Sequence, residues 1–199
     1  MKIRFLITLI AAISALIAVG AGVARAVQPG PIVALDPAAL GPAPSLVVPA
    51  SCTIVGTTGH DFLWGTVGND VICGLSGNDT ILGNGGDDLV YGGAGHDVLN
   101  GEAGHDRIYG EDGTDQISGG DGNDYVDAGA GSDAVDAGYG SDTVRLGAGN
   151  DLAGGGGGND RLYGYAGDDY LWGEAGFDRT YGSAGYDTCA GEQEGSCEA

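Results

Sequence analysis

The sequence predicts an all-β fold: a solenoid of about seven and a half 18-residue coils whose short strands form two parallel sheets. Three observations carry this expectation. Aspartate recurs every nine residues without a gap, as Asp61, Asp70, Asp79, Asp88, Asp97, Asp106, Asp115, Asp124, Asp133, Asp142, Asp151, Asp160, Asp169, Asp178 and Asp187. Glycine stands two residues before every one of them, from Gly59 to Gly185. Two residues after each comes a mostly aliphatic side chain, from Leu63, Ile72 and Ile81 to Leu162 and Leu171, before Thr180 and Cys189 end the series.

The chain opens outside this pattern. Lys2 and Arg4 precede the apolar run "FLITLIAAISALIAV", and "GAGVARA" closes it with Ala24 and Ala26 in an A-x-A arrangement. This reads as an export signal over 1–26, cut between Ala26 and Val27. The competing reading is a retained anchor, because Phe5–Ala24 is about long enough to span a bilayer. Cleavage implies a secreted, extracellular protein with no membrane attachment. Residues 27–50 hold all six prolines and predict an extended strap.

The repeat domain over 51–189 follows. Within each repeat, six residues rich in Gly, Asn and Asp suit a turn that needs positive φ. The remaining three, such as "VLN" or "RIY", place one apolar side chain between two outward ones, a minimal strand with its middle residue facing in. Turn, strand, turn, strand closes one coil. The short tail 190–199 predicts a C-terminal cap.

Charge points to the ligand. The chain carries 28 acidic residues against 7 Lys+Arg, a net charge of −21. Loss of Lys2, Arg4 and Arg25 with the leader deepens this to −24. Such a balance excludes nucleic acid and anionic membrane as partners and favours cations. In the predicted coil, aspartates 18 residues apart stack on one edge. Neighbouring carboxylates about 5 Å apart would repel by about 3 kcal/mol per pair at an effective dielectric near 20. Fifteen turns contain thirteen such gaps. Each gap offers two carboxylates and the carbonyls of glycine-rich turns, an all-oxygen cage that suits Ca2+ better than magnesium, which demands a tighter octahedron. Calcium is therefore the expected cofactor, at most 13 ions.

At this point "GGAGHDVLN", residues 92–100, resembles the hemolysin-type calcium-binding nonapeptide of RTX proteins. The resemblance covers residues 56–189 and implies a right-handed parallel β-roll, with the fifteen aspartates named above as calcium ligands. Some turns depart from the motif. Ala128, Ala137 and Leu146 replace its first glycine, and Phe177 and Tyr186 precede the last two aspartates, so sites drawing on these turns are expected to be weak.

Other chemistries find little support. His60, His96 and His105 sit in turns and do not converge, and neither G-x-S-x-G nor H-E-x-x-H occurs, so no catalytic residues and no enzyme are expected. Cys52, Cys73, Cys189 and Cys197 flank the array, and an exported chain keeps disulfides. Pairing 52–73 and 189–197 would cap both ends; zinc is disfavoured, with no C-x-x-C spacing. Tyr91 and Tyr109, like Tyr163 and Tyr181, share one sheet with Arg107, Arg161 and Arg179. They read either as a stabilising ladder or as a face for a cell-surface glycan or polymer. Two functions remain: a monomeric calcium-stabilised structural or binding module, or the accessory part of an extracellular hydrolase system whose catalytic unit is another chain.

Overall fold

The computed structural model describes residues 51–190 and 193–194. The leader over 1–26, the strap over 27–50 and most of the cap over 190–199, Cys197 included, lie outside the described residues. Seventeen strands follow in order: β1 (Ile54–Val55), β2 (Phe62–Trp64), β3 (Val71–Ser76), β4 (Thr80–Leu82), β5 (Leu89–Ala94), β6 (Val98–Ala103), β7 (Arg107–Asp112), β8 (Gln116–Asp121), β9 (Tyr125–Ala130), β10 (Ala134–Tyr139), β11 (Thr143–Ala148), β12 (Leu152–Gly154), β13 (Arg161–Ala166), β14 (Tyr170–Trp172), β15 (Arg179–Ala184), β16 (Thr188–Ala190) and β17 (Gln193–Glu194). Odd-numbered strands build one nine-stranded sheet and even-numbered strands an eight-stranded one, each in sequence order. Every pairing is parallel, as a coil that always advances in one direction requires. The chain is thus an all-β parallel solenoid of about eight turns, with no helix among the described residues.

Register follows the nine-residue period. Ile72, Val90, Ile108, Val126, Val144 and Leu162 pair in succession on one sheet; Leu63, Ile81, Leu99, Ile117, Val135, Ala153 and Leu171 do so on the other. From Ile72 to Leu171 these side chains are buried, and they form a single core between the sheets. A one-residue slip would turn the whole row to solvent, so the inward series fixes the pairing.

The strands run further than three-residue triplets suggest. Ten of the seventeen are six residues long, because the ladder continues round the corner: Gly93 pairs with Glu111 and Ala94 with Asp112. A left-handed residue at the bend turns the chain without breaking the hydrogen bonds, so after these ten strands only three residues of the nominal turn leave the sheet. A second departure concerns the core. Ala128, Ala137 and Leu146, which stand where other repeats have their first glycine, are fully buried and join it.

The ends differ from the interior. Cys52 and Cys73 form a disulfide across the first coil, as expected, with their Cα atoms 6.1 Å apart. Cys189 is disulfide-bonded as well, and its expected partner Cys197 lies outside the described residues. At the last rung Arg179 pairs with Gln193 and Thr180 with Glu194, a step of 14 residues in place of 18.

Candidate metal centre

The repeat aspartates are built into the edges of the roll by their own backbones. The Oδ1 atom of each, from Asp79 to Asp187, accepts the backbone N–H of the aspartate 18 residues earlier at 2.7–3.0 Å. The carbonyl of Asp61 in turn accepts the N–H of Thr80 at 2.9 Å, and this contact also repeats along the roll. Each carboxylate is therefore held in one orientation and buried from Asp79 to Asp178.

That clamp leaves the second oxygen over. Among the described residues, Oδ2 of all thirteen aspartates from Asp79 to Asp187 is buried without a hydrogen-bond partner. Buried polar atoms are otherwise almost always satisfied, so thirteen orphans in register mark a designed feature. In the ten of these thirteen repeats that have a first glycine, this oxygen lies over it. A Cβ on Gly83 would lie 2.6 Å from Asp88 Oδ2 and 2.7 Å from the carbonyl oxygen of Gly101 in the next coil. On Gly92 it would lie 2.7 Å from Asp97 Oδ2 and 2.9 Å from Gly110 O. The missing side chain keeps open a cradle in which a carboxylate oxygen and a carbonyl oxygen from successive coils converge.

The cradles are not all alike. Over the first glycines of the repeats ending in Asp79, Asp88, Asp97, Asp106, Asp115, Asp124, Asp160 and Asp169, both oxygens converge. At Asp133, Asp142 and Asp151 the glycine is replaced by Ala128, Ala137 and Leu146, whose side chains belong to the core. Over Gly173 and Gly182, in the last two repeats, the nearest atoms are all those of Asp178 and Asp187 themselves. In the first two, Oδ2 is already occupied: Thr57 donates from N and Oγ1 to Asp61, and Thr66 likewise to Asp70.

Burial shapes the protonation of the array. Desolvation pushes Asp115, Asp142 and Asp151 up to about 7, against the stabilising backbone N–H on Oδ1. Asp88, Asp97, Asp106, Asp133 and Asp160 are pushed up to about 6 for the same reason, and stacked carboxylates add to the shift at Asp88, Asp97, Asp106 and Asp160. A divalent cation would reverse this penalty. Hard cations of calcium's size take six to eight oxygens in flexible geometry, carbonyls among them. Among the described residues no three His, Cys, Asp or Glu side chains gather round one point, so most ligands must come from the backbone. Glycine-rich turns with carbonyls aimed between coils fit that demand.

One role escaped the sequence reading. The residue just before each aspartate is more than a variable turn position, because its side chain often accepts the N–H of its counterpart 18 residues on. Asn69 accepts from Asp87, Asn78 from His96, Asp87 from His105, Asn123 from Ser141, and Asn150 from Asp168. The three histidines do the same through Nδ1: His60 to Asn78, His96 to Thr114 and His105 to Asn123, at 2.7–2.9 Å. Recurrence of Asn, Asp, Ser and His at this position was the available signal, since all four side chains accept hydrogen bonds. Phe177 has no acceptor and Tyr186 carries its hydroxyl at the far end of the ring, and they stand where their edges end; their own amides donate to Asn159 and Asp168.

The tyrosines form a ladder. Tyr91 and Tyr109 stack at 5.1 Å between ring centroids, and Tyr163 and Tyr181 at 5.0 Å, so within each pair one face of each ring is turned to its partner. Arg145 joins the two groups, donating to the hydroxyls of Tyr125 and Tyr165 and lying over the Tyr165 ring.

The model of the RTX calcium-binding nonapeptide repeat family matches the chain in four consecutive copies, at residues 53–81, 82–117, 118–153 and 154–189. No curated protein matches the chain.

Proposed function

The chain belongs to the RTX calcium-binding nonapeptide repeat family, and on that premise we propose that it is an exported, non-enzymatic β-roll module which calcium ions hold together edge by edge. The observation that carries this reading is the row of orphaned Oδ2 atoms, eight of the thirteen paired across a glycine with a carbonyl of the next coil. Bound calcium would supply the positive charge that these oxygens lack. Asp79, Asp88, Asp97, Asp106, Asp115, Asp124, Asp160 and Asp169 are the principal ligands, with the carbonyls that face them. Asp133, Asp142 and Asp151 bind weakly at most, because hydrocarbon occupies their cradles. The thirteen gaps of the solenoid thus reduce to eleven once the Thr57 and Thr66 turns are set aside, and to eight unobstructed ones.

Export is supported by the basic start, apolar run and A-x-A ending of residues 1–26, and by the Cys52–Cys73 disulfide, which suits an oxidising compartment. The parallel sheets, ladder and core leave the outer faces to stabilising contacts such as the tyrosine stacks, which supports a structural role.

Calcium titration of chelated protein by far-ultraviolet circular dichroism, with bound metal counted by equilibrium dialysis, tests the proposal. Cooperative gain of β structure is expected, with about eight tightly bound ions per chain and poor substitution by magnesium. An ordered spectrum that is identical in chelator and in calcium would refute it.

A further inference from the structure

We propose that the first two turns of the roll are a calcium-independent cap, closed by Thr57 and Thr66, from which metal loading proceeds toward the C-terminus. The inference rests on the reading of the later turns as calcium sites. Asp61 Oδ2 receives Thr57 N at 2.6 Å and Thr57 Oγ1 at 2.9 Å; Asp70 Oδ2 receives Thr66 N at 2.7 Å and Thr66 Oγ1 at 2.8 Å. Two donors per oxygen satisfy the carboxylate and present positive hydrogens where a cation would have to approach.

Backbone conformation separates these turns from all the others. In each of the thirteen later repeats the residue four before the aspartate is left-handed, with φ between +68° and +111°. Six of the thirteen are glycine and seven are Leu, Asn, Glu, Tyr or Ser; none is β-branched. The same thirteen repeats carry the orphaned Oδ2 atoms. A left-handed residue there turns its N–H away from the carboxylate, whereas Thr57 and Thr66, absent from the left-handed set, keep theirs on it. A β-branched side chain resists positive φ, so threonine enforces the closed form.

The capped end is covalently tied as well. The Cys52–Cys73 disulfide joins the segment before β1 to β3, with which β1 pairs through Ile54↔Ile72. In metal-free protein these turns alone bury no partnerless carboxylate oxygen, so they are the least costly to form, and every later coil then has a template.

Backbone hydrogen exchange of the full chain in chelator, read by residue, is the first test. Amides of the first coils, such as Val71 and Thr80, should exchange at least about tenfold more slowly than those beyond Asp160. The second test compares Thr66→Gly with Thr66→Val by equilibrium dialysis in 45Ca. Thr66→Gly frees the backbone to turn left-handed and should gain one calcium per chain. Thr66→Val keeps the β-branch and the amide donor, so it should gain none while losing protection in chelator. Uniform exchange in chelator, or no difference in calcium count between the two variants, would overturn the cap while leaving the calcium reading intact. A wild-type chain that takes up no calcium would instead overturn the reading on which it rests.

Discussion

Asp97 Oδ1 accepts the backbone N–H of its upstream counterpart Asp79 at 2.8 Å, while Asp97 Oδ2 shares the face of Gly92 with the carbonyl of Gly110. One carboxylate thus performs two tasks, closing the backbone of the coil before it and lining the cradle toward the coil after it.

Substitutions at Asp97 should separate those tasks. Asp97→Asn keeps an oxygen acceptor for the Asp79 amide but loses the charge, so calcium stoichiometry should fall by about one with a small loss of thermal midpoint. Asp97→Ala also leaves that buried N–H without a partner, an extra cost of about 1–3 kcal/mol. Asp187→Ala should lose less metal than either, since no following-coil carbonyl lies nearest its cradle. Dialysis and thermal melts of the three variants check this; equal calcium loss at Asp97 and Asp187 would contradict sharing between coils.

A methyl group should discriminate between cradle glycines and surface ones. Gly83→Ala would place Cβ 2.6 Å from Asp88 Oδ2 and 2.7 Å from Gly101 O, distances real Cβ atoms do not tolerate. Gly85, two residues on, has nothing nearer than Ala103 O at 3.8 Å. Calcium uptake and melting temperature should therefore drop in Gly83→Ala and stay near wild type in Gly85→Ala. Comparable behaviour of the two would remove the cradle as the binding feature.

Much of this was legible in the sequence because the period is explicit. The inward series from Leu63 to Leu171 follows from alternation about each aspartate, and the Cys52–Cys73 bridge follows from the positions of the cysteines beside the array. Three features were hidden for physical reasons. Whether Thr57 or Leu75 stands four before an aspartate changes the peptide orientation, and no hydropathy pattern records φ. Ala128, Ala137 and Leu146 look like imperfect turns, yet the ladder continues through the corner and delivers them to the core. The acceptor role of His60, His96 and His105 depends on contacts exactly one coil, or 18 residues, away, which only the stacked register brings into reach.

Acidification should favour folding of the metal-free chain. Burial raises Asp115, Asp142 and Asp151 to about 7 and their neighbours to about 6, above the ordinary value of 3.8 that the unfolded chain retains. The folded state then binds more protons than the unfolded one between those values. The resulting stability is fully present below about pH 4 and is lost as pH rises through 6 to 7. In saturating calcium the order reverses, because protons compete for the same oxygens. Circular dichroism of chelated protein from pH 4 to pH 8 checks the sign; β signal that grows with pH in chelator would show it to be wrong.

The last expectation concerns Thr180, among the described residues the one inward position on its sheet where a hydroxyl replaces a hydrocarbon. It pairs in register with Leu162, it is fully buried, and its Oγ1 has no hydrogen-bond partner among the described residues. A buried hydroxyl without a partner costs about 1–3 kcal/mol in folded proteins, and valine has nearly the same shape without it. The Thr180→Val variant, melted in saturating calcium, should therefore gain about 1 kcal/mol, a rise of about 2–4 °C for a chain of this size. The calcium count should not change, because Thr180 faces the core and the cradle glycine beside it, Gly182, is left in place. A lower midpoint would mean that the hydroxyl is satisfied in solution, and that the core near β15 and β17 is packed differently from the rest of the roll.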